Sequence, residues 1–461
     1  MRHTIAALFL LASTAAAPVA AQDIILKGTV VTPTTVLNAA AVTIKGNRIA
    51  SVTAVGANAP GIATDDVIFP GLIDLHNHLT WNVLPDWQPG RKFTNRSQWR
   101  TAADYLKATG TPYDKMRDKG AGCDMNRFGE VKALVNGATA TVGSLAPAPD
   151  NPKQNACIDG LVRNVDYAAD LTSPPVMNHE PYRNFVDPLD LNAADAALVR
   201  GTDPASTVPG TLHAAVLHVA EGTDAAAHDE FRLIKERQFL RRGVSIIHGI
   251  ALTLPDFADM ARAGVGLVWS PHGHFILYGK TTDIVGALNA GVLTAIGPDW
   301  SPTASHGMLE ELNFAYRYNT TSLNHKISDS ALVAMATINP AKLAGLDGQL
   351  GSIEAGKLAD LLIVKRRGAT AYEALLTAGP GDIQLVMIGG VPVYGDRALM
   401  TQLLPKATLE YLSICGQPKA LHIAPGNAAW DSWQRTHERL TAVMKGLGIA
   451  PSALVSCMPA R

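Results

Sequence analysis

The sequence predicts an α/β protein, a (β/α)8 TIM barrel with a small flanking β-sandwich built from both ends of the chain. Three observations predict it. Between residues 67 and 345, short apolar runs of strand length alternate with helical stretches, and repeated β-then-α units wind into a parallel sheet or barrel. Residues 23–66 and 350–396 are both rich in short β-type runs, and neither piece is large enough to be stable alone. Of 461 residues, 47% are hydrophobic and only 17% charged, below the usual ~25%. That balance suits strands buried on both faces. With 39 basic and 40 acidic residues the net charge is −1, so the chain has no bulk attraction to nucleic acid or anionic membranes.

Residues 1–21 read as a secretory signal. Arg2 and His3 give a basic start, Ile5 to Leu11 an apolar stretch, and Val19-Ala20-Ala21 a small-residue cleavage site. The expected location is periplasmic or secreted, with no membrane attachment after cleavage. An oxidising compartment favours disulfides. Of the three ways to pair Cys123, Cys157, Cys415 and Cys457, the locally spaced pairs Cys123–Cys157 and Cys415–Cys457 are expected.

Residues 22–66 form the first part of the sandwich, with Lys45-Gly46-Asn47-Arg48 as a hairpin turn. Residues 67–349 form the barrel. Its candidate strands are 73–78, 138–143, 161–166, 214–219, 244–248, 265–270 and 293–297. The fourth strand falls within 170–205, a stretch rich in Pro, Asp and Asn where no run stands out. Helical patterns cover 229–242, 255–262 and 283–289. A long excursion, 79–137, carries Trp81, Trp87 and Trp99; long loops at the carboxyl ends of barrel strands shape active sites. Residues 350–396 supply the second part of the sandwich. Residues 397–461 are an appendage with one amphipathic helix, marked by Trp430, Trp433, Leu440, Val443 and Leu447.

The chemistry gathers at strand ends. His76-Asn77-His78 closes an apolar strand, and residues i and i+2 of a strand share a face. Zinc-type metals favour imidazole nitrogen. Asp74 has the same parity and can accept an N–H from a ligating imidazole. His218 closes a second strand, with Glu221 three residues on. His248 closes a third, and Asp299 follows a fourth. Buried His and Asp are costly without partners, and one shared metal explains them together.

These segments resemble the amidohydrolase superfamily: PGLIDLHNH (70–78), LHVAEG (217–222), IIHG (246–249), AIGPDWSP (295–302) and ATINPAKLAGLDGQLGSIEAGKLADLLIV (336–364). The resemblance implies a metal-holding (β/α)8 barrel with a flanking sandwich. Many such proteins bridge two metals with a carboxylated Lys on the fourth strand. No Lys lies between Lys153 and Lys235, so the chain resembles the mononuclear group of cytosine-, guanine- and adenosine-deaminase-like enzymes and triazine chlorohydrolases. The resemblance then implies one divalent metal, Zn²⁺ or alternatively Fe²⁺, held by His76, His78, His218 and Asp299. Glu221 would shuttle protons, and His248 would orient the nucleophile or stabilise developing charge. Asp299 can also take the proton of a metal-bound water, whose pKa can fall to about 7.

One segment departs from the pattern. Where relatives often read His-Cys-Pro-x-Ser-Asn, this chain has Trp269-Ser270-Pro271-His272-Gly273-His274. His272 and His274 are candidate substrate contacts, with structural roles as the alternative. Trp81 and Trp300 are candidates to stack on a planar ring, with rim packing as the alternative. The expected activity is hydrolysis of a non-peptide C–N bond in a small molecule: an amide, a urea or an amino-substituted heterocycle. Other readings are attack on C–Cl or an ester, a dinuclear peptidase bridged by Glu180, or a non-catalytic exported binding protein. A homo-oligomer is compatible with such a barrel.

Overall fold

The computed structural model describes residues 23–56, 58–145, 157–158, 160–166, 171, 176–179, 214–423 and 430–457, with β8 (below) described by its backbone alone. The proposed signal, 1–21, lies outside the described residues, as does Glu180. Among the described residues four strands come first: β1 (Ile24–Val31), β2 (Val36–Lys45), β3 (Arg48–Ala54) and β4 (Ile62–Pro70). The expected turn closes the β2–β3 hairpin, where Lys45 pairs with Arg48.

Among the described residues eight strands follow with parallel pairing: β5 (Leu72–Asp74), β6 (Ala138–Thr141), β7 (Arg163–Asn164), β8 (Val176–His179), β9 (Ala214–Val219), β10 (Val244–His248), β11 (Gly266–Trp269) and β12 (Thr294–Ile296). They form two arcs in chain order, β5–β6–β7 and β8–β9–β10–β11–β12. Seven coincide with the expected runs. The eighth, β8, is the strand that sequence periodicity does not reveal. It offers only Val176 and Met177 as apolar residues between Pro175 and Pro181, yet pairs with β9 from Val176–Ala214 to His179–Leu217. A parallel bridge between Asn77 and Asp299 joins the two arcs. There the Asp299 amide donates to the His76 carbonyl at 2.8 Å and the His78 amide to the Asp299 carbonyl at 3.2 Å.

Alternation along the strands sorts their side chains. Ala214 and Val216 join Ile73, Ala140, Ile247, Val268 and Ala295 in one apolar cluster drawn from both arcs. Ala215, Leu217 and Val219 face the other way, into the larger cluster shared with the surrounding helices. The helix expected at 229–242 instead spans Ala225–Glu236. It starts earlier because Asp224 accepts from the Ala227 amide and caps it, and Gln238, at φ 62°, turns the chain away.

The remaining strands are β13 (Leu361–Val364), β14 (Ile383–Ile388), β15 (Val391–Asp396), β16 (Glu410–Ile414) and β17 (Gln417–Leu421). β13 pairs antiparallel with β4, Leu361 opposite Pro70, and unites the two flanks in one nine-stranded sheet. This sheet does not end at residue 396: β17 pairs with β15, Tyr394 opposite Leu421. The expected appendage thus contributes two strands as well as a helix. A buried ion pair joins the two parts of the molecule, with Arg163 of β7 donating to both carboxylate oxygens of Asp360 at 3.0 and 2.9 Å.

The amphipathic helix is Trp433–Lys445, capped by Ser432, and it buries Leu440 and Met444. It lies on the helix Gly122–Val135, where the Trp433 and Phe128 rings are 5.7 Å apart and Arg439 reaches Asp124 at 2.7 Å. Both expected disulfides are present, Cys123–Cys157 and Cys415–Cys457, with Cα atoms 5.6 and 5.2 Å apart. Among the described residues no helix is long and apolar enough to cross a membrane.

Candidate metal centre

Strand β5 stops at Asp74, so His76 and His78 stand in the turn beyond it rather than on the strand itself. Asp74 drives that turn. One carboxylate oxygen accepts the His76 backbone N–H at 2.9 Å, and the other accepts from the Asn77 side chain at 2.7 Å. This corrects the expected role of Asp74, which holds the backbone of the motif instead of an imidazole. Burial raises its carboxyl to about 8. The His76 ring is oriented by Ser270, whose hydroxyl lies 2.7 Å from Nδ1. Gly297 lets the two segments approach, because a Cβ there would sit 2.6 Å from the His76 Cβ.

His218, the next-to-last residue of β9, shares the face of Ala214 and Val216 and so points into the arc interior. His248 has the wrong parity to do this. It shares its parity with Val244 and Ile246, which face the outer cluster, but its φ of 70° turns the side chain inward. Asp299, at φ 65°, and Ala220, at φ 56°, are also left-handed. Non-glycine residues adopt this conformation at a cost of order 1–3 kcal/mol each, and such positions cluster at functional sites.

The donor atoms converge. His76 Nε2 lies 3.2 Å from His218 Nε2 and 3.1 Å from Asp299 Oδ1. His78 Nε2 is 3.2 Å from the same Asp299 oxygen. Two sets, His76–His78–Asp299 and His76–His218–His248, each have ligand atoms within 4.8 Å of one another. Two imidazole nitrogens about 3.3 Å apart are the edge of a tetrahedron with metal–nitrogen bonds of ~2.05 Å, so the donor set fits a divalent ion held between them. Burial first, then the neighbouring His76 and His248, holds His218 well below its ordinary value. A neutral ring is what a ligand must be. Burial opposes the charge on Asp299, but His76 and His78 overcome it and keep the carboxyl ionised.

Around this cluster lies a pocket with Trp81, Trp99, Tyr105 and Trp300 on its walls and Arg96 and Arg100 beside Glu221 and His248. Trp300 and Trp81 meet edge to face at 5.5 Å. One face of Trp81 is already covered by Tyr113, stacked at 3.6 Å. Glu221 is buried and doubly held: Tyr278 donates to Oε1 at 2.6 Å and Arg96 to Oε2 at 3.3 Å. Burial pushes its carboxyl above the ordinary value, against the pull of Arg96 and Tyr278. His248 Nε2 faces the same Oε2 at 3.5 Å.

The two other histidines are not on the pocket wall. His272 stacks on Phe314 at 4.6 Å, and its Nδ1 lies 3.0 Å from the Ser305 hydroxyl. His274 is buried behind His248, with its Nε2 3.0 Å from His248 Nδ1. Both belong to the helix Pro271–Tyr278, whose turn carries their rings away from the pocket. Neither lines the pocket, and their packing matches the structural alternative.

Sequence reasoning missed Arg96, Arg100, Tyr105 and Tyr278. Arg96 and Arg100 sit on a short helix whose N-cap, Asn95, accepts from Gln98. Only this capped start was legible; nothing in the sequence aims the excursion at Glu221.

A family model described as the amidohydrolase family matches residues 67–393. A 5-methylthioadenosine/S-adenosylhomocysteine deaminase from Desulforudis audaxviator is 28% identical over 184 residues, 37% of this chain and 42% of that protein. One of the same description from Teredinibacter turnerae is 23% identical over 337 residues, 65% of this chain and 71% of that protein. Among solved structures, a mutant atrazine chlorohydrolase from Arthrobacter aurescens complexed with zinc and atraton is similar, with TM-score 0.63, 16% identity and coverage of 80% of this chain and 95% of that one. E. coli guanine deaminase gives TM-score 0.60 at 15% identity, covering 81% and 99%. At these identities the structures share the fold alone. The first of these relatives is matched over less than half its length, but the family model spans well over half of the chain, and its range holds every donor described above. The chain belongs to the amidohydrolase family.

Proposed function

We propose that this chain is an exported hydrolase that uses one divalent metal ion, Zn²⁺ in the first instance, to cleave a non-peptide C–N bond of a planar small molecule. Its fold in this reading is a (β/α)8 barrel closed from the two parallel arcs. The observation that carries the proposal is the convergence of His76, His78, His218 and Asp299 donor atoms beside Glu221 and His248 in one aromatic-walled pocket. The deaminase and chlorohydrolase descriptions of its relatives support the same class of chemistry. The N-terminal pattern and the two disulfides support export.

A divalent ion held there supplies Lewis acidity and an activated water near neutral pH. The chain's own residues do the rest. Asp299 lies beside the His76 and His78 nitrogens and can accept a proton from the attacking water. Glu221 is fixed by Tyr278 and Arg96 on the pocket wall, where it can take up that proton and pass it to the leaving nitrogen. His248 Nε2 lies beside Glu221 at the pocket, where it can stabilise negative charge that develops on the attacked group. Water thus contributes OH to carbon and H to nitrogen. Trp81, Trp99, Tyr105 and Trp300 exclude bulk water and present flat faces to a ring.

The test is a panel of amides, ureas, amino-heterocycles and chloro-heterocycles assayed for ammonia, amine and chloride release. Release of ammonia or amine that disappears in His76→Ala supports the proposal. Chloride release alone, or turnover unaffected by His76→Ala, refutes it.

A further inference from the structure

His274 is buried, has no place on the pocket wall and touches His248. It links a hydrogen-bond chain that runs Trp269, Thr281, His274, His248. The Trp269 indole Nε1 lies 2.8 Å from Thr281 Oγ1, Thr281 Oγ1 lies 3.0 Å from His274 Nδ1, and His274 Nε2 lies 3.0 Å from His248 Nδ1. An indole N–H can only donate, so the first link has one direction. Thr281 accepts from Trp269 and has its own hydroxyl proton left to place. Among the described residues the remaining partner of that hydroxyl is His274 Nδ1. If Thr281 donates there, His274 Nδ1 is the acceptor and its proton sits on Nε2. That proton then goes to His248 Nδ1, and the His248 proton is on Nε2.

We infer that His274 is a positioning residue that locks His248 as the Nε2–H tautomer, so that His248 presents a hydrogen-bond donor to the pocket and is not a metal ligand. Two further observations agree. His248 Nε2 faces Glu221 Oε2 at 3.5 Å, and that carboxylate accepts from Arg96 and Tyr278, so a donor suits it and a bare lone pair does not. Trp99 donates in the same one-way manner to Tyr278 at 2.7 Å, and Tyr278 donates on to Glu221. Two tryptophan-anchored chains thus fix opposite polarities on the two groups: acceptor on Glu221, donor on His248. Burial keeps the His274 ring neutral at ordinary pH, as a one-proton relay requires. The inference also separates the two ligand sets. A histidine that donates from Nε2 cannot bind a metal through that atom, which leaves His76, His78, His218 and Asp299.

The role assigned to the donor rests on the proposed hydrolytic reading, but the tautomer does not, and its test needs no substrate. The zinc-loaded protein, ¹⁵N-labelled at histidine ring nitrogens, is measured by NMR, with His248→Gln identifying the His248 signals. The expected result is a protonated Nε2 and an unprotonated, non-zinc-bound Nδ1 on His248. In His274→Gln the side-chain amide can still donate, and the tautomer stays. In His274→Glu the carboxylate can only accept, and the proton moves to Nδ1. A wild-type His248 protonated on Nδ1, or carrying a zinc-shifted Nε2, overturns the inference. So does a His274→Glu protein in which the proton stays on Nε2. Loss of turnover with the expected tautomer intact would count against the hydrolytic reading alone.

Discussion

Glu221 shows how single side chains are prepared here. Both its oxygens meet fixed donors, from Tyr278 and Arg96, in a buried wall of the pocket. Replacing it with Gln keeps the shape and removes the proton carrier. Expected is a fall in kcat of about a thousandfold with metal content unchanged, measured by steady-state kinetics and metal analysis. Glu311 makes a different prediction, for stability. It accepts from the His272 amide at 3.0 Å and from the Ser305 hydroxyl at 2.5 Å, and burial raises its carboxyl from 4.5 to about 8. The folded chain therefore binds more protons than the unfolded one between those values, and this contribution fades as pH rises through them. Glu311→Gln should flatten that fall, so its stability relative to the wild type increases from pH 5 to pH 8 in denaturant titrations. At this scale the ligand residues were legible because His and Asp at strand ends are chemically conspicuous. Parity put Asp74 beside an imidazole, but parity says which face a residue shares, not whether a turn intervenes; His272 and His274, read from a segment that departs from the family pattern, lie on a helix off the pocket wall. Lys132 was not legible at all. It is a buried cation whose ammonium donates to the Asn82 carbonyl and to Ser301 and Ser452 at 3.1, 2.8 and 2.9 Å.

The elements matter through the way the excursion after β5 is fastened to the turn after β9. Asn95 bridges Gly222, the Arg96 amide donates to the Glu221 carbonyl at 3.2 Å, and the Thr223 amide donates to the Thr94 carbonyl at 2.6 Å. Gly222, at φ 154°, permits this contact, because a Cβ would lie 2.4 Å from the Thr94 oxygen. Gly222→Ala should push the Arg96 segment off Glu221. We expect kcat to fall at least tenfold while His76-dependent metal binding persists. Retained full activity would show that the clamp does not position Glu221. Seven strands were readable from runs such as Val244–Ile247 because interior parallel strands are continuous apolar segments. β8 was not, since its apolar content is two residues and its identity comes from pairing with β9.

At the scale of the whole molecule, one sheet sewn from both flanks lies beside the two parallel arcs, and the disulfides tie the excursion and the C-terminal region. Cys415–Cys457 closes a 42-residue separation, which the chain-entropy estimate values at about 4 kcal/mol. Replacing both with Ser should lower the thermal midpoint by several degrees and loosen the helix Trp433–Lys445. Calorimetry measures the first and hydrogen exchange the second; an unchanged midpoint would show that β16 and β17 hold this region unaided. The shared β4–β13 pairing was foreseeable, since neither flank could stand alone. That the sheet continues through β16 and β17 was not, because Glu410–Ile414 alternates too weakly to announce a strand beyond residue 396.

The most direct test of the whole reading is the metal content of the purified protein beside that of His218→Ala. Expected is one divalent ion per chain in the wild type and its loss in the variant, with His248→Gln retaining the ion. Two ions per chain, no ion at all, or an ion lost with His248 and kept without His218 would contradict it.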